Sequence, residues 1–209
     1  MPNPPSPPAA PPAPEYAWGA AVLSYLVPGL GQIYQGRVGK GVLFLVCIYT
    51  LFFYGQRLGG GTVPYGDGTY TVSSNVYLPD PAILPRTQVL NFELNGVLKA
   101  LYNRPQFLGQ FWAGVASWPA VWQYLTCSKD RPSGESFLGN YQRTPPEEVV
   151  NQLQTDGDKT YELGWVFTVI AGVLNVMVIY DALAGPAFVA RASREPETSH
   201  ANAPVGAAP

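Results

Sequence analysis

Hydrophobic positions gather into four windows, at 17–34, 38–55, 107–126 and 163–184, and all but two of the charged residues lie between and outside them. The second window, VGKGVLFLVCIYTLFFYG, carries Lys40 as its one charge. At helical rise such a segment reaches about 27 Å, enough to cross a hydrocarbon core. Lys40, near its start, can snorkel to the headgroups. The fourth window, LGWVFTVIAGVLNVMVIYDALA, has one acid, Asp181, near its end. The third has no charge but contains Gln110, Ser117, Pro119 and Gln123, and the first is interrupted by Pro28 and glycines. None alternates apolar and polar faces as the long helices of a soluble bundle do.

All five tryptophans fall in these windows, and Tyr34, Tyr54, Tyr124, Tyr161 and Tyr180 stand near their ends. That is the aromatic belt of a membrane interface. The pattern predicts an all-α integral membrane protein with about four transmembrane helices. An N-terminal helical hairpin over 16–56 joins helices about 17–34 and 38–55; 107–126 and 163–188 supply the third and fourth.

The connectors carry weaker signals. In 57–106, VPYGDGTYTV alternates around a Gly-Asp-Gly turn and predicts a small β-hairpin. Leu90, Leu94, Val97, Leu98 and Leu101 then recur at helical spacing, predicting an amphipathic interfacial helix at about 88–102 with Gly96 weakening its middle. In 127–162, Thr144-Pro145-Pro146-Glu147 fits a capping box before a short helix at about 145–155. The ends read as disordered. Residues 1–15 hold eight prolines, including a PxxP series without a flanking cation, and 189–209 form a polar tail.

Composition narrows the chemistry. Charged residues make up 12% of the chain, about half the usual share, and the net charge of −2 gives no reason to expect nucleic acid as a partner. Cys47 and Cys127 are too few for a disulfide framework or a paired-cysteine metal site, and the single histidine, His200, sits in the tail. Residues 1–16 contain no Lys or Arg, so no secretory signal peptide is expected. No cofactor, metal site or catalytic group is expected, and the chain reads as a non-enzyme.

The stretch LVPGLGQIYQGRVGKG, 26–41, resembles a glycine-rich phosphate loop only superficially. Lys40 is followed by Gly41 rather than Ser or Thr, and no strand pattern precedes it. It reads instead as a bend between membrane helices. Pro28 frees backbone carbonyls, Gly29 and Gly31 admit a second backbone, and Gln32 can satisfy what Pro28 leaves open. Residues 35–40, with Gly36, then turn the chain and place Arg37 and Lys40 at headgroup level, with Tyr34 at the interface.

PGLGQIYQGRVGKG is similar to the PGxGQxYxG element of many small bacterial membrane proteins and to the turn of the two-transmembrane-helix domain superfamily. Gly31-Gln32-Ile33 departs from the Asp-Arg-Phe of that superfamily's eukaryotic form, so no receptor-like role carries over. YELGWVFTVIAGVLNVMVIYDALAGP, 161–186, resembles the final helix of an uncharacterised bacterial family known as a domain of unknown function, which carries both elements in this order. The resemblance covers about 17–188. It implies a multi-pass protein of the bacterial inner membrane and implies no reaction.

Polar groups inside the windows are the remaining candidates, because each is costly in lipid. Asn175 either lines a pathway or hydrogen-bonds across helices. Asp181 is either a solvated interfacial carboxylate or a partner of Arg37 or Lys40. Two small-residue stripes, Gly109-Ala113-Ser117 and Gly164-Thr168-Gly172, predict that helices three and four pack on each other or across a homo-oligomer. On four spans, Lys and Arg divide six against six, so orientation rests on the short 35–40 loop, which favours the N-terminus outside. The functional expectation is a non-catalytic structural or interaction component of the membrane, with the lipid bilayer, a homo-oligomer or other membrane proteins as partners. The alternative is a small transporter or channel subunit acting as an oligomer. A Ser-Lys enzyme has only the adjacent Ser128 and Lys129 to offer, which cannot face each other.

Overall fold

A computed structural model describes residues 16–80, 84, 88–89, 92–93, 96–126, 137–155 and 159–192, with side chains as far as 185. Two helices form its frame. Helix α3, Val38–Leu58, has 21 residues, and α8, Thr160–Ala192, has 33. Val38–Leu58 and Thr160–Gly185 are long and apolar enough to cross a membrane. They run antiparallel: Gly55 of α3 lies against Gly164 and Thr168, while Lys40, at its other end, reaches Asp181. On α3 the buried positions Gly41, Ile48, Phe52 and Gly55 form one stripe, separated by whole helical turns. On α8 the stripe is Gly164, Thr168, Ala171, Gly172, Asn175, Val178 and Ala182. Small residues let the two backbones approach. A Cβ on Gly164 would strike the backbone of Gly59 and the Gly55 carbonyl.

The first and third windows are not single helices. The first breaks into α1, Trp18–Leu26, and α2, Leu30–Tyr34. Val27 is extended at φ −137° and Gly29 left-handed at φ 84°, so the chain reverses between them. The third breaks into α5, Gln106–Phe111, a 3₁₀ turn at Gly114–Ser117, and α6, Trp118–Thr126. Here Gly114, at φ 77°, makes the turn. Among the described residues two helices, not four, have the length of a full crossing.

The molecule is mostly helical, and the first connector carries the small β-hairpin expected there together with a second strand pair that is not. Strands β1, Gly61–Tyr65, and β2, Gly68–Val72, pair antiparallel around Gly66-Asp67. Gly66 takes φ 58°, as the first central residue of a type II′ hairpin turn must. Val63 and Val72 on the hairpin's inner face pack with Val149 and Leu153 of α7, Glu147–Thr155. A second small pair, β3 Gln88–Val89 with β4 Phe92–Glu93, occupies the region where an amphipathic helix is expected from residue 88. The helix there, α4, is Gly96–Asn103. Gly96 takes φ 56° and opens the helix rather than lying in its middle.

The main core joins α3, α4, α5, α6 and α8 to the segment after β2. Ile48 and Phe52, Val76 and Leu78, Ala100, Phe107, Ala113, Ala120, Ala171 and Val178 make one cluster. The connectors thus close over the end of α3 and α8 that is remote from Asp181.

Candidate functional site

The polar residues of the apolar windows meet along one face of α8, in three layers. At the outermost, Asp181 accepts from three donors. Lys40 Nζ lies 2.6 Å from Oδ1, Arg37 Nη2 3.2 Å from Oδ2, and Gln32 Nε2 3.2 Å from Oδ2. The two cationic side chains and Asp181 remain about a third exposed, so this is a partly solvent-exposed ion triad rather than a buried one. Of the two readings open for Asp181, the structure has the paired one, with both cations.

Local geometry explains how Arg37 arrives there. Gly36, at φ 79°, ends α2 with the Arg37 N–H on Gln32 O at 2.8 Å and its own N–H on Ile33 O at 2.9 Å. That is the paired hydrogen-bond stop for which glycine is favoured. Nothing would touch a Cβ on Gly36, so its role is conformational. Gly29 and Gly31 serve close approach: a Cβ on the first would strike the Gly41 carbonyl, and on the second the Ala20 carbonyl. Tyr34 stays exposed and outside the cluster.

The next layer centres on Gln32, fully buried. Its Nε2 also donates to Val178 O at 2.8 Å, and its Oε1 accepts from Ser24 Oγ at 3.1 Å. Gln35 Nε2 reaches Ala182 O at 2.6 Å. Gln32 therefore ties α1 and α2 to α8, and it does not fill the gap left by Pro28. A proline lacks the N–H that would bond the carbonyl four residues earlier, here that of Ser24. Asn175 fills that gap. Its Nδ2 donates to Ser24 O at 3.1 Å and, with its second hydrogen, to Trp112 O at 2.9 Å.

Asn175 is thus the point where two short hairpins meet. The first begins beside Leu183, whose carbonyl accepts from Ala17 N–H at 3.1 Å. It runs inward along α1 to Asn175 and returns along α2 to Ala182 and Asp181. The second starts from the connector end. Its α5 runs inward past Gly172, whose Cβ position is taken by the Gly109 carbonyl, to Trp112. Its α6 goes back to the connectors, where Gln123 Nε2 donates to Gly139 O at 3.1 Å and Ala120 N–H to Gln142 Oε1 at 2.9 Å. The tips touch: a Cβ on Gly114 would strike the Tyr25 and Leu26 carbonyls, and the Tyr25 ring meets Phe111 and Trp112, each at 5.8 Å. A final layer pairs Gln110 Nε2 with Thr168 Oγ1 at 2.8 Å.

The two small-residue stripes therefore pack inside one chain, where Gly109 and Ala113 meet Gly172. The site also takes in Ser24 and Gln35, which the sequence pattern does not single out, and Gln110 and Thr168, a polar residue of the third window and a member of a small-residue stripe. Ser24 has a signal in the sequence, standing four residues before Pro28. Cys127, Ser128, Lys129 and His200 lie outside the described residues.

Residues 19–195 match the model of a family of unknown function, DUF6677. The chain also resembles an uncharacterised protein of Methanocaldococcus jannaschii, MJ1516, with 47% identity over 32 residues, which is 15% of this chain and 32% of that protein. That match spans about a third of the relative's length. No solved structure matches. The chain belongs to the DUF6677 family.

Proposed function

We propose that this member of the DUF6677 family is a non-catalytic, membrane-embedded scaffold that binds and organises other components of the bacterial inner membrane. One observation carries the reading: the apolar windows bury their polar side chains and expose many of their large apolar ones. Ser24, Gln32, Gln110, Ser117, Thr168 and Asn175 are fully buried. Trp18, Met177 and Leu125 are 70%, 67% and 71% exposed, and Val46, Val173 and Leu108 join them on the outer surface. In water such a surface is a severe liability, whereas in lipid it is the expected one. The buried polar groups bond to one another and to backbone across helices, which is how they serve packing rather than reaction.

On this reading α3 and α8 cross the bilayer, and the α1–α2 and α5–α6 hairpins enter it halfway from opposite faces. Their irregular tips are tolerated at depth because protein surrounds them. Both tails and the 35–40 loop then share one face, and both connectors share the other. The even division of cations no longer applies, since Arg37, Lys40, Arg191 and Arg194 lie on the first face and the other eight on the second. The partner surface is the connector cap built from the β1–β2 hairpin and α7. The test is purification of a tagged full chain in mild detergent, with the complex sized and its components identified by mass spectrometry. A stoichiometric membrane partner, lost when exposed α7 positions such as Asn151 and Gln152 are changed to Arg, is expected. Purification of the chain with no partner under those conditions would overturn the scaffold reading.

A second reading, a small transporter or channel subunit, draws on the two opposed hairpins. Their inner helix ends converge on Asn175, and helix C-terminal carbonyls at mid-membrane are a means of holding cations. Cation flux in liposomes carrying the purified chain, abolished by Asn175→Leu, would favour it over the scaffold.

A further inference from the structure

At the connector end of the two long helices sits a charge with no counter-charge among the described residues. Arg104, between α4 and α5, is 7% exposed. Its Nη2 donates to Asn75 O at 2.5 Å, and its guanidinium stacks on the Tyr77 ring at 3.6 Å from the centroid. Both contacts are with neutral groups, and no carboxylate among the described residues pairs with it. Burying a cation on those terms is strongly unfavourable unless something supplies the negative charge.

The neighbouring side chains repeat the message. Asn75 is 0% exposed and both atoms of its amide lack a hydrogen-bond partner; Arg104 Nε and Gln56 Nε2 lack one too. The Gln56 Oε1 accepts from Tyr141 Oη at 3.1 Å, which leaves its Nε2 as a free donor. Asn75 packs against Gly59, where a Cβ would strike it, and Gly59 caps the end of α3, about one turn beyond Gln56. Among the described residues, three unpartnered donors and one cation without a counter-charge thus gather where α3 ends. A water molecule would answer some of the donors and leave the charge.

We propose that Arg104, Asn75 and Gln56 form an anion site that takes a phosphate group. A phosphate offers several acceptor oxygens to donors spread over three elements and matches the fork of an arginine. The group is either the phosphodiester of an anionic lipid or a soluble phosphate; both present the same oxygens to these donors. The site uses neither Asn175 nor Asp181 and does not depend on the scaffold reading.

The test is thermal unfolding of the full chain, stripped of lipid and held in detergent and chloride buffer. Inorganic phosphate and phosphatidylglycerol are added separately. Stabilisation of about 5–10 °C is expected at a hundredfold excess over the dissociation constant. A response to inorganic phosphate identifies a soluble ligand, and a response confined to phosphatidylglycerol identifies a lipid. Arg104→Gln should abolish the shift. Should that variant fail to fold, Gln56→Met should raise the half-saturating concentration about tenfold. The proposal is overturned if neither anion stabilises the wild-type chain, or if the shift survives unchanged in the variants.

Discussion

Asn175 is the residue on which most depends, because one amide serves two carbonyls that nothing else reaches. Asn175→Leu keeps the branching at Cγ and removes both donors, leaving Ser24 O and Trp112 O unsatisfied in the interior. A loss of about 1–3 kcal/mol is expected, read as a lower unfolding temperature in detergent. Asn175→Asp should lose at least as much, since a buried carboxyl offers one donor when protonated and none when ionised. If both variants unfold with wild type, the amide is idle. Asp181→Ala is expected to cost less, about 0.5–1 kcal/mol, because its partners are partly solvated and screened. Exchanging charges in Asp181→Lys with Lys40→Asp should recover part of that loss, although Arg37 then faces a like charge across the helix contact. Much of this was legible in the sequence. An Asn inside an apolar run, an acid near its end and two cations in a glycine-rich bend are conspicuous residues. Which carbonyl Pro28 leaves open was legible too, by counting back four residues to Ser24. What answers it was not, since Ser24 and Asn175 are brought together only by the fold.

The helices are ended by backbone geometry more than by composition. Gly114→Ala puts a side chain at φ 77° and into the Tyr25 and Leu26 carbonyls, where the two hairpin tips meet. A cost above about 2 kcal/mol, or failure to accumulate folded protein, is expected. Gly172→Leu should be as damaging, because the Gly109 carbonyl occupies the space its side chain would need. Normal accumulation and unfolding of Gly172→Leu would show that α5 does not rest on α8 as described. Gly36→Ala tests conformation alone, with open space around it, and should cost about 1 kcal/mol. An apolar run reports the solvent around a segment and says little about its path. Windows 17–34 and 107–126 read as spans because half-length apolar helices share the composition of whole ones. Their punctuation was present, Pro28 with Gly29 in one and Gly114 in the other, but a glycine in a membrane helix is as often a packing contact as a turn. The start of α4 escapes the sequence for the same reason, since periodicity cannot say that Gly96 is left-handed.

For the molecule as a whole, the account rests on where the chain crosses from one face to the other. Four complete spans and two spans with two half-length hairpins have the same composition and the same even parity for the tails. They differ in which loops share a face. Single cysteines at Ser6, Gly39, Asp67, Asn151 and Ser193, in a chain lacking Cys47 and Cys127, distinguish them when intact vesicles are treated with a membrane-impermeant maleimide. Gly39 has open space around it and Asn151 is exposed, so both positions should tolerate the change. The half-length hairpins predict that Ser6, Gly39 and Ser193 label together from one face and Asp67 and Asn151 together from the other. Labelling of Gly39 on the face opposite to Ser6, or of Asp67 opposite to Asn151, would contradict them and restore four full crossings.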